Sequence, residues 1–194
     1  ELQRRYLVGW FQESPNQGLN TFKANCYTPK MSALAFVVTT TPLDLSTMVK
    51  YVETQLKKAP ASAGAIASFL GTVRNENQGH QVDYLEYEAY EPLAVKAFQR
   101  IADESTQLWP DTPLAIHHRI GHLNVGEVSV AIAAASPHRA NAFSSCRYAI
   151  ERVKQIAPVW KHEYFEGGDV WIEGATASPD DEEARQTAIR LACV

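Results

Sequence analysis

Apolar residues recur along this chain in two rhythms, one of two residues and one of three to four, and the changes of rhythm mark the elements. Leu34 to Thr39 reads as a strand. Asp44 or Ser46 can cap a helix carrying Leu45, Met48, Val49, Val52 and Leu56, which ends before Pro60. Gly64 to Arg74 is a second strand, and Asn75 to His80 a polar loop. From Val82 to Tyr90 the chain alternates, with Leu85, Tyr87 and Ala89 on one face and Tyr84, Glu86 and Glu88 on the other. Glu91-Pro92 opens a helix whose Ala94, Phe98, Ile101 and Leu108 face inward. Leu114 to Ile120 is a strand, and Gly121 to Gly126 turns the chain. Val128, Val130, Ile132 and Ala134 then alternate with small residues in a strand.

That strand feeds the longest amphipathic run, Ser136 to Ala157. Ser136 is a candidate N-cap and Pro137 suits a first helical turn. Phe143, Cys146, Ile150, Val153 and Ala157 form one apolar stripe, while Arg147 and Glu151 are spaced to pair on a polar face. Pro158 stops the helix, and Val159 to Glu163 is extended. Glu166-Gly167-Gly168-Asp169 makes a tight turn into Val170 to Glu173. Ser178 and Pro179, followed by acids, start a last helix running to about Leu191.

Helices and strands therefore mix, with hairpins and no repeated βαβ period, which favours an α+β fold with a mixed sheet over a doubly wound one. Residues 1–30 hold no sustained period and are expected to form a mobile tail ahead of one domain over 31–194, with Met31 a candidate natural start. A hydrophobic content of 45% is enough for a real core. A formal charge of −4 argues against general nucleic-acid binding, and no apolar run is long enough to span a bilayer. Cys26, Cys146 and Cys193 are scattered without a CxxC spacing, as expected in a reducing, cytoplasmic compartment. Cys146, on the apolar stripe, is expected to be a small core residue.

Cations are unusual at a helix N-terminus, where the dipole is already positive. His138 and Arg139 there, beside free backbone N–H groups, suit an anion such as a phosphate; the competing reading is two solvated surface residues. Lys154 and Lys161 both lie beside apolar positions, where lost solvation favours the reactive neutral amine; the competing reading is two snorkelling side chains. His138 and Lys154 stand about 24 Å apart along one helix. A single site using both would be built by two chains, so a homodimer with composite sites is expected. Arg74, at a strand end, is a candidate for a second anionic group. His117 and His118, adjacent on a strand, point to opposite faces, and no HExxH or cysteine pair is present, so no metal is expected. Neither a phosphate-loop glycine motif nor a GxSxG is present.

The motifs FLGTVR at Phe69 to Arg74, HRIGHLNVGE at His118 to Glu127, SPHRANAF at Ser136 to Phe143, APVWKHE at Ala157 to Glu163 and EGGDVWIEG just after them, with their spacing, span about Met31 to Glu173. In these the chain resembles the large, catalytic subunit of molybdopterin synthase. The resemblance implies an α/β-hammerhead type of α+β fold and a central homodimer. It also implies a small ubiquitin-like subunit at each end whose C-terminal Gly-Gly thiocarboxylate donates sulfur. It implies cyclic pyranopterin monophosphate as the substrate, the molybdopterin dithiolene as the product, and no cofactor.

Carried over by motif, Lys154 and Lys161 match the family's two active-site lysines. Arg74, His138 and Arg139 match substrate-pocket positions and Phe69 a pocket aromatic, while Thr72, Val73, His162 and Glu163 flank them. Lys161 is the first choice for the reactive group and Lys154 for its support. Ala175 falls where some relatives carry an arginine. The rival expectations are a non-catalytic scaffold that binds a ubiquitin-like tail, and a phosphate-ester enzyme that needs no protein partner.

Overall fold

A computed structural model of the chain describes residues 34–56, 63–172 and 174–193; the expectation for residues 1–30 lies outside these, as does Glu173. Two sheets organise the fold. The first takes β1 (Phe36–Thr39), β5 (Leu114–Arg119), β7 (Val128–Ser136) and β2 (Ala65–Thr72) in that spatial order. Its β1–β5 pair is parallel and its other two pairs are antiparallel. The second sheet runs β3 (Glu76–Asn77), β4 (His80–Ala89), β8 (Val159–Phe165) and β9 (Gly168–Ile172), and β6 (Gly121–Asn124) also pairs with β4. Four helices complete the described chain: α1 (Leu45–Leu56), α2 (Glu91–Leu108), α3 (Arg139–Ile156) and α4 (Glu182–Ala192). The architecture is α+β, as the sequence pattern predicts.

Strand β7 explains the layering. A strand covered on both faces reads as continuously apolar rather than alternating. Val130, Ile132 and Ala134 meet Phe98 and Ile101 of α2 and the buried side of α3. The alternate residues Ala131, Ala133 and Ala135 pack with Met48, Val52 and Leu56 of α1. The alanines on this side let α1 sit close to the sheet. Each fully buried large side chain here, Phe98 or Ile132 for example, contributes roughly 1.5–3 kcal/mol of burial free energy. A smaller cluster, Val73, Val82, Leu85 and Leu123, lies against the second sheet.

Four local expectations shift. The polar loop Asn75 to His80 is a hairpin: β3 pairs with β4 through Asn77↔His80, and Gln78 (φ 51°) and Gly79 (φ 83°) form its two-residue turn. Two successive positive φ angles make a turn whose twist matches the flanking strands, which is why a polar stretch without periodicity still pairs. The Gly121 to Gly126 segment spends four residues as strand β6 before turning. Helix α3 starts at Arg139 with His138 as its N-cap, because Ser136 still belongs to β7. Helix α4 is capped by Asp181, whose side chain accepts from the Ala184 N–H at 3.0 Å; Ser178 and Pro179 lie in the turn before it.

Candidate functional site

Strand β8 separates its neighbours by alternation. Lys161 and Glu163 share one face, and the Lys161 ammonium donates to Glu163 Oε1 at 2.6 Å. Glu163 is buried, 4% exposed, so its second oxygen needs a protein donor. Asn77 supplies it, Nδ2 to Oε2 at 2.8 Å, from the end of β3. Arg74, on the run between β2 and β3, donates from Nη2 to Asn77 Oδ1 at 3.3 Å. Four side chains thus form one chain of hydrogen bonds, Arg74–Asn77–Glu163–Lys161. Arg74 and Asn77 line an open depression of about 420 Å3 with Asn75, Glu76 and Gln78. Tyr87 is the cross-strand partner of Lys161, and burial raises its phenol pKa, with the Glu163 charge adding to the rise.

A second concavity, about 300 Å3, runs between α3 and strand β2. Phe69, Phe143, Cys146, Ile150 and Lys154 line it, together with the Arg147–Glu151 ion pair at 2.8 Å. Phe143 differs from the sequence expectation: it is 66% exposed, at the edge of the stripe rather than in the core. The rest of the stripe, Cys146, Ile150, Val153 and Ala157, is buried as expected, and Ala142, Ser145, Tyr148, Ala149, Arg152 and Ile156 widen the buried side of α3 around it. Cys146 is a core residue as expected, and burial pushes its thiol up to about 12, which disfavours the thiolate. Strand β2 is kept close to β7 by Gly71, where a Cβ would meet Val130 Cγ1 at 2.6 Å.

His138 and Arg139 lie exposed at the opposite end of α3. The His138 backbone is extended, and its side chain makes no capping bond. The geometry therefore leaves a dipole end with two cationic-type side chains beside it. Within one chain it does not bring them to Lys154, which sits in the last turn of α3.

The flanking residues divide. Thr72 is exposed at the end of β2, and Val73 is buried in the small core. His162 faces away from Lys161 and Glu163, because adjacent strand residues point oppositely. It stacks on Trp171 and meets the Tyr164 ring at a tilt, each at 4.3 Å between ring centres, and bonds Asp169 at 2.6 Å. His117 and His118 are both buried and bond backbone carbonyls, of Leu34 and Arg119 respectively, each at 2.8 Å. Among the described residues, no group of three or more His, Cys, Asp or Glu is placed to hold a metal ion. Ala175 is buried and carries no cation to the site. Asn77 was missed by sequence reasoning; the signal that could have found it is the Gln-Gly pair after it, which marks a two-residue hairpin turn.

The family model described as MoaE protein matches residues 38–156. The molybdopterin synthase catalytic subunit of Bacillus subtilis (strain 168) is 46% identical over 137 residues, 71% of this chain and 83% of that protein. The crystal structure of molybdopterin synthase from Staphylococcus aureus superposes with a TM-score of 0.65 at 38% identity, over 70% of this chain and 95% of that one. The complex of subunits 1 and 2 of molybdopterin-converting factor from Helicobacter pylori 26695 shares the fold, with a TM-score of 0.57 at 22% identity over 72% of this chain and 90% of that one. Among the described residues, no helix is long and apolar enough to cross a membrane.

Proposed function

The chain belongs to the MoaE protein family, and from that premise we propose that it is the catalytic subunit of a molybdopterin synthase, a cytoplasmic sulfurtransferase of molybdenum cofactor biosynthesis. Its partner is a small ubiquitin-like protein ending in a Gly-Gly thiocarboxylate. Its substrate is cyclic pyranopterin monophosphate. Two sulfur transfers make the dithiolene, and each partner tail leaves as a carboxylate. The observation that carries this reading is the family match over residues 38–156, which contains Phe69, Arg74, His138, Arg139 and Lys154 within its span.

The geometry supports a division of labour. The Arg74 guanidinium stands in an open depression, where its remaining N–H groups are available to an anionic oxygen. Lys161, half-buried, has its ammonium held by Glu163, which suits a group that must meet a tail carbonyl in a fixed place. Lys154 lies at the end of the groove that Phe69 and Phe143 line, a shape suited to an extended tail. His138 and Arg139, about 24 Å along α3 from Lys154, serve the site of a second copy in a homodimer. That homodimer, with a small partner on each copy, gives a heterotetramer.

The test is mass spectrometry of a reconstituted reaction with this protein, the thiocarboxylated partner and cyclic pyranopterin monophosphate. Gain of two sulfurs by the pterin, with return of the tail to a carboxylate, is the expected result. Partner binding with unchanged pterin would overturn it in favour of a scaffold. Pterin turnover without the partner would overturn it in favour of a partner-independent phosphate-ester enzyme.

A further inference from the structure

We propose that Asn77 is a positioning residue: it holds the Glu163–Lys161 pair and the Arg74 guanidinium in one fixed arrangement. The inference rests on the reading above for the roles of Lys161 and Arg74, but its geometry stands independently of that reading.

Asn77 works at both ends of its amide. A guanidinium can only donate and an ionised carboxylate can only accept. The residue between Arg74 Nη2 and Glu163 Oε2 must therefore accept on one side and donate on the other, and must do so within one short side chain. Asparagine meets this requirement. Aspartate would set a carboxylate against Glu163 Oε2, where the amide now lies at 2.8 Å, and alanine would leave that oxygen without this donor. A near-fully buried carboxylate with one oxygen unpaired is free to rotate away from the lysine or draw water in.

The backbone holds Asn77 where this happens. It is the residue before the two-residue turn, in register with His80, and the next residue pair, Glu76↔Gln81, extends the ladder. The Val82 N–H donates to the Asn75 carbonyl at 2.9 Å, closing the hairpin from the other side. The His80 ring stacks on Phe165 of β8 at 4.3 Å, which fixes the hairpin to the strand that carries Lys161 and Glu163. Placement of the amide is thus set by a hairpin and an aromatic contact, neither of which is needed for a mere surface turn. An anion drawn to Arg74 would be sensed, through one amide, by the carboxylate that holds Lys161.

The experiment uses the full chain and three variants, Asn77→Ala, Asn77→Asp and Glu163→Gln, with the double variant Asn77→Ala/Glu163→Gln. First, Lys161 is labelled with an amine-reactive reagent at fixed pH and read by peptide mass spectrometry against Lys50 and Lys96 in the same molecule. In Asn77→Asp the added negative charge strengthens the field on the ammonium, and labelling of Lys161 falls about tenfold while the reference lysines do not change. Second, single-turnover sulfur transfer is measured with saturating partner. Asn77→Ala slows it by about 10- to 100-fold with little change in partner affinity, as expected for a misplaced group rather than a lost binding contact. In the Glu163→Gln background the same substitution adds little, because Asn77 acts through Glu163.

An unchanged Lys161 labelling ratio in Asn77→Asp, or an Asn77→Ala effect of equal size in both backgrounds, would overturn the proposal. If Asn77→Asp does not fold, the labelling ratio is read in Asn77→Ala, where a change supports the proposal and an unchanged ratio overturns it. If the wild-type protein transfers no sulfur at all, the functional reading fails, and the labelling result still decides the role of Asn77.

Discussion

The Arg152 guanidinium closes on the Glu104 carboxylate through two bonds, Nε to Oε2 at 2.9 Å and Nη2 to Oε1 at 3.0 Å. Arg152 is wholly buried in α3 and Glu104 is 7% exposed in α2. Tyr148 donates to the same carboxylate at 2.7 Å, and Arg152 Nη2 also reaches the Pro179 carbonyl at 3.3 Å. This pair ties α2, α3 and the turn before α4 together beneath the face of α3 that carries Lys154. Removing one partner strands a buried charge. Glu104→Ala is expected to cost about 3–5 kcal/mol by denaturant unfolding, whereas Arg147→Ala, in an exposed pair, costs at most about 1 kcal/mol.

The same carboxylate gives a pH dependence. Burial alone would raise its pKa, but the bonds from Arg152, Tyr148 and Arg100 outweigh burial and hold it below the usual value. A depressed folded pKa contributes stability that is present above the unfolded value of about 4.3 and is lost as pH falls through the folded one. Unfolding free energy measured from pH 6 to pH 3 is expected to drop, and the drop to shrink in Glu104→Gln.

His118 adds a second acid-side slope at higher pH. Burial pushes its pKa down to about 4, with the bond to the Arg119 carbonyl opposing this. The unfolded chain binds that proton near the ordinary 6.5, so stability is full above 6.5 and falls as pH drops toward 4, by about 3 kcal/mol in all. An NMR titration should leave the His118 ring neutral at pH 5.

The Gln78-Gly79 turn places a non-glycine residue at φ 51°. Left-handed backbone costs an ordinary L-residue about 1–2 kcal/mol, and asparagine is favoured in this kind of turn. Gln78→Asn is expected to raise stability by about 0.5 kcal/mol in thermal unfolding, and Gly79→Val to lower it by more than 1 kcal/mol.

The proposed composite sites make a mixing prediction. Lys154→Ala and His138→Ala, each expected to be inactive by itself, are unfolded and refolded together. If each site takes Lys154 from one copy and His138 from the other, half of the dimers are mixed and each has one intact site. Sulfur transfer then returns to about a quarter of the wild-type level. Sites built within one chain would leave the mixture as inactive as its parts.

The sequence by itself determined most of the elements and suggested candidates for the site. The period-two run at β4, the continuous apolar run at β7, the stripe of α3, and the apolar spacing of α1 and α2 are local signals, because side-chain direction follows directly from backbone geometry. The motifs around Arg74, His138 and Lys161 offered candidate chemistry for the same reason: residue types are visible without coordinates. Tertiary structure alone decided which of them meet. Phe143 has the spacing of a core residue yet lies outside, while Cys146, Ile150, Val153 and Ala157 of the same stripe are buried, alongside Tyr148 and Arg152. His162 and Glu163 are neighbours in the motif and occupy opposite faces of β8, which only the pairing with β4 and β9 orients. Asn77 comes to Glu163 across 86 positions of chain. No periodicity reports such a contact, since it depends on the strand order of the second sheet and on a hairpin whose register is set by two residues with positive φ.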